Sequence, residues 1–353
     1  MKQRPLSPIL FALAAAGLFG ASTPLAKLLV GRVDPIMLAG LMYFGSGLCL
    51  IIWKSFGLLT QRTEVSEVLI ERKDLLSLGG AILFGGMLGP FLLMLGLSST
   101  PASSASLLLN LEGVLTALLA WFVFRENFDR RIALGMVAIT AGGIILSWEG
   151  TPDTGLPWGV FAIAGACFAW AIDNNLTRNV SAADPVTIAA LKGIVAGSVN
   201  LIIAFSLGVA LPPLQVLYAC LAVGLFGYGI SLTLYVLALR HLGTARTGAY
   251  FSIAPFIGAM ISIVFLGDRP TAGFFIAAVF MGLGVWLHLT ERHEHKHTHE
   301  ELTHDHDHIH HEHHQHDHGP DDPPGEPHRH VHRHRPLVHS HPHFPDIHHR
   351  HDH

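Results

Sequence analysis

The sequence predicts an all-α polytopic membrane protein: ten transmembrane helices as two inverted five-helix repeats, then a disordered C-terminal tail. Three observations lead there. Apolar runs of about 20 residues, the length that crosses a bilayer's hydrocarbon, recur through the first 290 residues. The order of features around residues 96–127 returns around 239–269. The histidines are segregated: of 26, only His241 and His288 precede His293.

The spans are read at 8–30, 35–53, 75–97, 102–124, 131–148, 158–177, 185–207, 215–239, 246–266 and 271–289. Each is taken as a helix, because a segment in lipid must satisfy its own backbone polar groups. Small residues, as in "GGAILFGGMLGP", let helices approach closely where lipid gives no hydrophobic drive. The first run has the shape of a signal peptide, but the spans that follow argue for a retained helix. Cys49, Cys167 and Cys220 all fall in apolar runs and read as small packing residues.

Lys and Arg placement sets the orientation. With the N-terminus in the cytoplasm, that side holds Lys2, Arg4, Lys54, Arg62, Arg72, Lys73, Arg125, Arg130, Arg131, Arg178, Arg240 and Arg246. The outer side holds Arg32 and Arg269. The expected place is the cytoplasmic (plasma) membrane, multi-pass, with both termini cytoplasmic.

The internal repeat is weak in identity but ordered in features. "GLSSTPASSASLLLNLEGVLTALLAWFVFREN" aligns with "LRHLGTARTGAYFSIAPFIGAMISIVFLGDR", and Glu126 falls against Asp268 at an offset of 142. "VDP" at 33–35 and "ADP" at 183–185 open the second helix of each half. An odd number of spans per half inverts the second half, the plan of secondary transporters. The expected divisions are 8–148, 156–290 and the tail 291–353.

Ionisable groups in hydrocarbon are costly and ask for a reason. Glu112, in "LLLNLEGVL", lies midway along the fourth span, with Asn110 two residues before it. No basic residue of its own span reaches it, which suits a proton-coupling group or a contact to a cationic solute. The bland alternative is a neutral carboxyl hydrogen-bonded to a neighbouring helix. Asp173, with Asn174 and Asn175, lies about a turn from the cytosolic end of the sixth span, and Lys192 about two turns into the seventh. They are candidates with Glu112, or else a structural ion pair with each other. Lys27 can snorkel to the interface. Pro24, Pro90 and Pro255 each remove a helical hydrogen bond and are candidate hinges.

These residues carry a family resemblance. "GLFGASTPLAK" (17–27), "LLAWFVFREN" (118–127) and "GTARTGAYFSIAPFIGAMISIVFLGDRP" (243–270), with Pro255 inside its helix, resemble the EamA-type group of the drug/metabolite transporter superfamily over about residues 8–290. Two departures stand out: "LMYF" at 41–44, where members often carry Arg, and Gly113, where they often carry Pro. The resemblance implies a small-molecule transporter, commonly an exporter, with no required cofactor and no ATP hydrolysis. It also implies that Trp170, Tyr228, Tyr235 and Tyr250 lie on spans lining the path. The chain itself has no GxxxxGK[ST], HExxH or GxSxG run and no triad pattern, so an enzyme is not expected.

The tail is polar, net acidic and proline-containing ("DDPPGEP"), so it cannot offset its ordering entropy by burial. Its net acidity argues against nucleic-acid binding. Imidazole is a common transition-metal ligand. In extended chain, alternate residues face one way, so "HEHKHTH" and "HDHDHIHH" each offer several imidazoles to one ion. The candidate ligands are His293, His295, His297, His299, His304, His306, His308, His310, His311 and His313, and the suitable ions are Zn, Ni or Co. The expected partners are a small-molecule or metal-chelate solute, membrane lipid, divalent metal ions and, left open, a second copy of the chain. The alternative function is a non-transporting membrane protein that stores or senses metal.

Overall fold

The structure, a computed structural model, describes residues 6–59, 72–124, 130–149, 158–180, 184–242, 247, 250–290, 294–299, 302–308, 328–334 and 337–342. The chain divides into two units, Met1–Glu291 and Arg292–His353.

In the first unit α1 (Leu6–Val30) carries the first apolar run and holds Pro24 without breaking. The Asp34 side chain accepts from the Ile36 amide at 3.0 Å, and Pro35, whose fixed φ suits a first turn, opens α2 (Pro35–Leu59). The third span is one helix in three pieces: α3 (Leu75–Ala81), a π segment (Ile82–Leu88) and α4 (Gly89–Ser99). The fourth is two, α5 (Ala102–Leu108) and α6 (Leu111–Phe124), separated by a turn at 109–110. Then come α7 (Arg130–Glu149), α8 (Trp158–Val180) and α9 (Pro185–Ser206). The eighth span joins α10 (Leu214–Gly224), a π segment (Leu225–Ile230) and α11 (Ser231–Leu242). A turn at 252–253 precedes α12 (Ala254–Ile261) and a π segment (Ser262–Leu266). Gly267, at φ 73°, ends that segment in a left-handed conformation that only glycine adopts without penalty, and α13 (Ala272–Leu289) follows.

Among the described residues seven helical stretches are long and apolar enough to cross a membrane, while Ala133–Trp148, Ala254–Leu266 and Ala272–Leu287 are shorter apolar helices. Together they stand at the ten places read from the sequence. The helices are interrupted at the third, fourth, eighth and ninth places, the third directly before Pro90 and the ninth directly before Ala254 and Pro255, two of the candidate hinges being beside the breaks. Pro255 is correspondingly not in a helix interior. It sits in the first turn of α12, where its missing N–H removes no helical bond.

Helix pairs form where side chains shrink. Helix α2 packs along α9, α7 along α13, α4 and α6 against α8, and α1 against α11 and α12. At the α2–α9 crossing a Cβ on Gly193 would meet Gly47 Cα at 2.6 Å, and one on Gly47 would meet the Ala190 carbonyl at 2.7 Å. Asp184 caps α9, its carboxylate accepting from the Val186 and Thr187 amides, and Lys54 of α2 reaches it at 2.5 Å. Partial burial pushes the Asp184 carboxyl up, and hydrogen bonds from Lys54, Thr187 and Val186 more than reverse this, to about 2. The outward surface is apolar, with Phe265 79%, Phe122 69% and Val279 69% exposed. That surface suits hydrocarbon rather than water.

In the second unit the described residues form β1 (Glu294–His299), β2 (Leu302–His308), β3 (His328–His334) and β4 (Leu337–Pro342), paired antiparallel as β1 with β4 and β2 with β3. The period-two alternation that predicts same-face histidines also suits a strand. In the β2–β3 register Leu302 stands opposite His334 and His308 opposite His328.

The α2–α9 crossing leads to a stability prediction. Gly193→Val overpacks it and lowers stability by about 1–3 kcal/mol. Thermal unfolding of the detergent-solubilised chain checks this, and an unchanged midpoint refutes the packing account.

Candidate functional site

The break in the fourth span places the central carboxylate. Around it the backbone tightens to three-residue spacing: Leu109 N bonds Ser106 O at 3.2 Å, Asn110 N bonds Leu107 O at 3.0 Å and Glu112 N bonds Leu109 O at 3.1 Å. The Asn110 amide donates to Leu107 O at 2.9 Å and lies 3.9 Å from the Met281 sulfur, filling the break. Cys167 Sγ approaches Leu108 O at 3.7 Å. Glu112 therefore falls in the first turn of α6, where the helix dipole favours an anion. Asn174 of α8 donates to its Oε1 at 2.8 Å and stands 3.5 Å from Thr116 Oγ1. Both Glu112 and Asn174 keep part of their surface free.

One turn of chemistry away the charges are closed off. Lys192 Nζ donates to both oxygens of Asp173 at 2.6 Å, and Thr177 Oγ1 donates to Asp173 Oδ1 at 2.8 Å. Lys192 is 3% exposed and Asp173 7%. This is the ion pair that the sequence offered as an alternative to a solute contact. Asn175 spends its amide on the Ala171 carbonyl at 2.9 Å.

The π segment of the third span sits beside this pair. Its irregular bonding turns the Gly85 carbonyl to side chains, and it accepts from Tyr43 Oη at 2.8 Å and from Trp170 Nε1 at 3.0 Å. A Cβ on Gly85 would collide with the Asp173 carboxylate, so glycine is required there. From these two rings an aromatic cluster extends. Phe19 lies edge to face with Trp170 and with Tyr228, at 6.0 Å in each case, and Tyr43 meets Tyr228 at 5.1 Å. Phe251 joins Phe19 at 5.3 Å and Tyr235 at 4.8 Å.

At one end of the bundle Lys27 donates to the carbonyls of Leu97 and of Thr100, the latter at 2.8 Å. This satisfies the C-terminus of α4 with a cation, which the dipole favours. Beside it Asp268 accepts from the Ser103 amide at 2.8 Å, at the start of α5. Lys27 is thus held by carbonyls.

The structure brings Glu112 and Asn174 together, and Asp173 and Lys192 together, and puts Trp170 against the latter pair. Asn110 is committed to the helix break. Tyr250 is part-buried, but its neighbour Phe251 supplies the ring that enters the cluster. Pro90 opens α4 directly after the π segment. Sequence reasoning missed Tyr43, Gly85 and Phe19. The signal for Tyr43 was present in "LMYF", the stretch already marked as a departure. His295, His297 and His299 lie on β1 and His304, His306 and His308 on β2, while His293, His310, His311 and His313 lie outside the described residues. Among the described residues no group of three or more His, Cys, Asp or Glu is placed to hold a metal ion.

Known proteins bear on this arrangement. The EamA-like transporter family matches residues 6–148 and again 157–290. An uncharacterized transporter of Methanothermobacter thermautotrophicus is 31% identical over 281 residues, 76% of this chain and 82% of that one. The uncharacterized inner membrane transporter YedA of Escherichia coli K12 is 25% identical, over 74% of this chain and 84% of its own. The uncharacterized transporter YyaM of Bacillus subtilis is 25% identical over 57% of this chain and 70% of its own. A crystal structure at 19% identity superposes with a TM-score of 0.61, covering 80% of this chain and 98% of that chain. That likeness shows a shared fold.

The ion pair has a thermodynamic signature. Asp173→Asn leaves a buried ammonium uncompensated and costs about 3–5 kcal/mol. Asp173→Asn with Lys192→Met recovers a large part of that. Thermal midpoints of the two singles and the double check it; a double variant no more stable than Asp173→Asn refutes the pairing.

Proposed function

The chain belongs to the EamA-like transporter family, and from that premise we propose a secondary transporter that exports a small solute across the cytoplasmic membrane by alternating access. It is a multi-pass membrane protein and not one of an enzyme family. Glu112 carries the reading. It is a part-exposed carboxylate at the start of a half-helix, and unwound helices with polar groups at mid-membrane are where transporters hold solutes and coupling ions.

The inverted-repeat plan has structural support at the offset of 142 that aligns Glu126 with Asp268. The π segment 82–88 maps onto 225–230 within a residue, and the turn at 109–110 maps onto 252–253 within a residue. The helix pairs α2–α9, α7–α13 and α5–α12 each join corresponding places of the two halves. On this reading the Lys27 and Asp268 ties close the outer end, and alternation requires releasing them.

The tail reading is a cytosolic metal-binding appendage that regulates or feeds transport. Its support is the strand register. His304, His306 and His308 stand opposite His332, His330 and His328, and His295 and His297 opposite His341 and His339. Directly opposed strand residues sit about 5 Å apart at Cβ, a spacing that two imidazoles on one ion can bridge.

Two outcomes follow. Glu112→Gln lowers solute flux in proteoliposomes at least about tenfold and flattens its pH dependence; unchanged flux and pH profile would sink the role of Glu112. Residues 1–290 alone retain flux but lose its response to added Ni2+ or Zn2+. Metal binding by the full chain with no flux of any solute favours the storage alternative instead.

A further inference from the structure

The four strands of the tail share one register. The partner of each residue steps back by one as the chain advances by one, from Glu294 opposite Pro342 to His308 opposite His328. Residues 300–301 and 335–336 stand between the paired stretches, two on each side, so the count does not slip. The histidines use that register. In β2–β3 they fall opposite one another three times in succession: His304 with His332, His306 with His330 and His308 with His328. In β1–β4 they do so twice, His295 with His341 and His297 with His339. Alternate strand residues share a face, so each set is a ladder of histidine rungs on one face.

Distances decide how such a ladder binds. Two residues of one rung have Cβ atoms about 4.5–5.5 Å apart. Successive histidines of one strand are about 6.5–7 Å apart, twice the rise per residue. An ion that holds imidazole nitrogen at about 2.1 Å spans about 4 Å between two such ligands. The rung therefore closes on an ion with less reach than a single strand does. This reverses the preference that the run 293–313 suggests by itself: the nearer second ligand for His304 stands on β3, not two residues along β2. The two ladders also differ in parity. The rungs of β1–β4 use odd positions of β1, and those of β2–β3 use even positions of β2. With no slip between them, period-two alternation assigns them to opposite faces.

From this juxtaposition we infer two cross-strand metal sites, one per ladder, whose second ligand sets are His328, His330 and His332 on β3 and His339 and His341 on β4. The inference deepens the tail reading and rests on it. It adds five ligands beyond the run 293–313 and makes the metal a clasp between two distant stretches of tail. The ion is a divalent transition metal that accepts imidazole, such as Zn2+, Ni2+ or Co2+. Each rung supplies two nitrogens, and water keeps the other positions. Mg2+, which calls for oxygen ligands, is not held. A rung exists only while the strands are paired, so metal binding and strand pairing share one free energy.

The test uses the full chain in lipid nanodiscs, with Ni2+ or Zn2+ alone as the probe and calorimetry as the readout. His328→Ala, His330→Ala and His332→Ala together leave every histidine of 293–313 in place, and they weaken the tightest binding at least about tenfold. His339→Ala with His341→Ala lowers the number of ions bound and leaves the affinity of the other ladder unchanged. A third variant keeps the histidine count and breaks the register: His330→Arg with Arg333→His, and His339→Val with Val338→His, put the moved residues opposite Thr303 and Thr298. It binds more weakly than the intact chain. Unchanged affinity in the alanine set, or in the out-of-register variant, overturns the ladders and leaves the tail a metal binder through 293–313 alone. Mg2+ bound as tightly as Ni2+ overturns the ion class. No binding of Ni2+ or Zn2+ by the intact chain overturns the tail reading itself, and the ladders with it.

Discussion

A backbone carbonyl released inside an apolar slab has no water to turn to, and this constraint organises the bundle. At several places where a helix departs from regular spacing, a polar side chain comes to the freed group. Gly85 O receives Tyr43 and Trp170, Leu107 O receives Asn110, and Leu108 O is approached by Cys167. At the end of α4 the carbonyls of Leu97 and Thr100 receive Lys27. The interruptions are costly in hydrocarbon; Asn110 answers one from its own span, while Tyr43, Trp170, Cys167 and Lys27 come from other spans. Those recruited partners tie α2, the π segment Ile82–Leu88 and α8 into one polar patch.

Charge adds the second condition. A buried ammonium and a buried carboxylate nearly cancel when they meet at 2.6 Å, and removing either leaves a far larger penalty than the pair itself contributes. The pair thus works as a fixed joint between α8 and α9. Glu112 lacks such a cation and has instead the amide of Asn174 and the N-terminus of α6. A neutral donor and a helix dipole soften the isolation of a carboxylate without cancelling its charge. The two acids therefore have different settings: one is closed in an ion pair, the other part-exposed and held by an uncharged donor.

Much of this was legible in the sequence, and what was not has a physical cause. Apolar run length fixed the places of the spans, because hydrocarbon thickness is a hard ruler. Glu112, Asp173 and Lys192 stood out because charges in apolar runs are rare, and pairing of the last two was visible as one of two options. Residue spacing could not choose between them, since that choice depends on how α8 and α9 face each other. Pro90 marked the third span as a candidate hinge, but the extent of the π segment at 82–88 and the turn at 109–110 left no signature, because π spacing and a one-turn break leave the apolar count unchanged. Tyr43 was missed for a similar reason. An aromatic in an apolar run reads as packing, and only the Gly85 carbonyl makes its hydroxyl matter. In the tail, the alternation read as same-face histidines also suits a strand, but pairing partners between 20 and 48 residues away cannot be read from period two alone.

The arrangement around Glu112 also bears on the metal. A bare divalent ion in a low-dielectric site calls for several charged or strongly polar ligands. Among the described residues the spans offer one acid not matched by a cation, Glu112, and its partner is the Asn174 amide, itself beside the Thr116 hydroxyl. A single acid, an amide and a hydroxyl replace few of the water ligands that such an ion would leave behind, so the middle of the bundle gives no support to a naked metal ion as the solute.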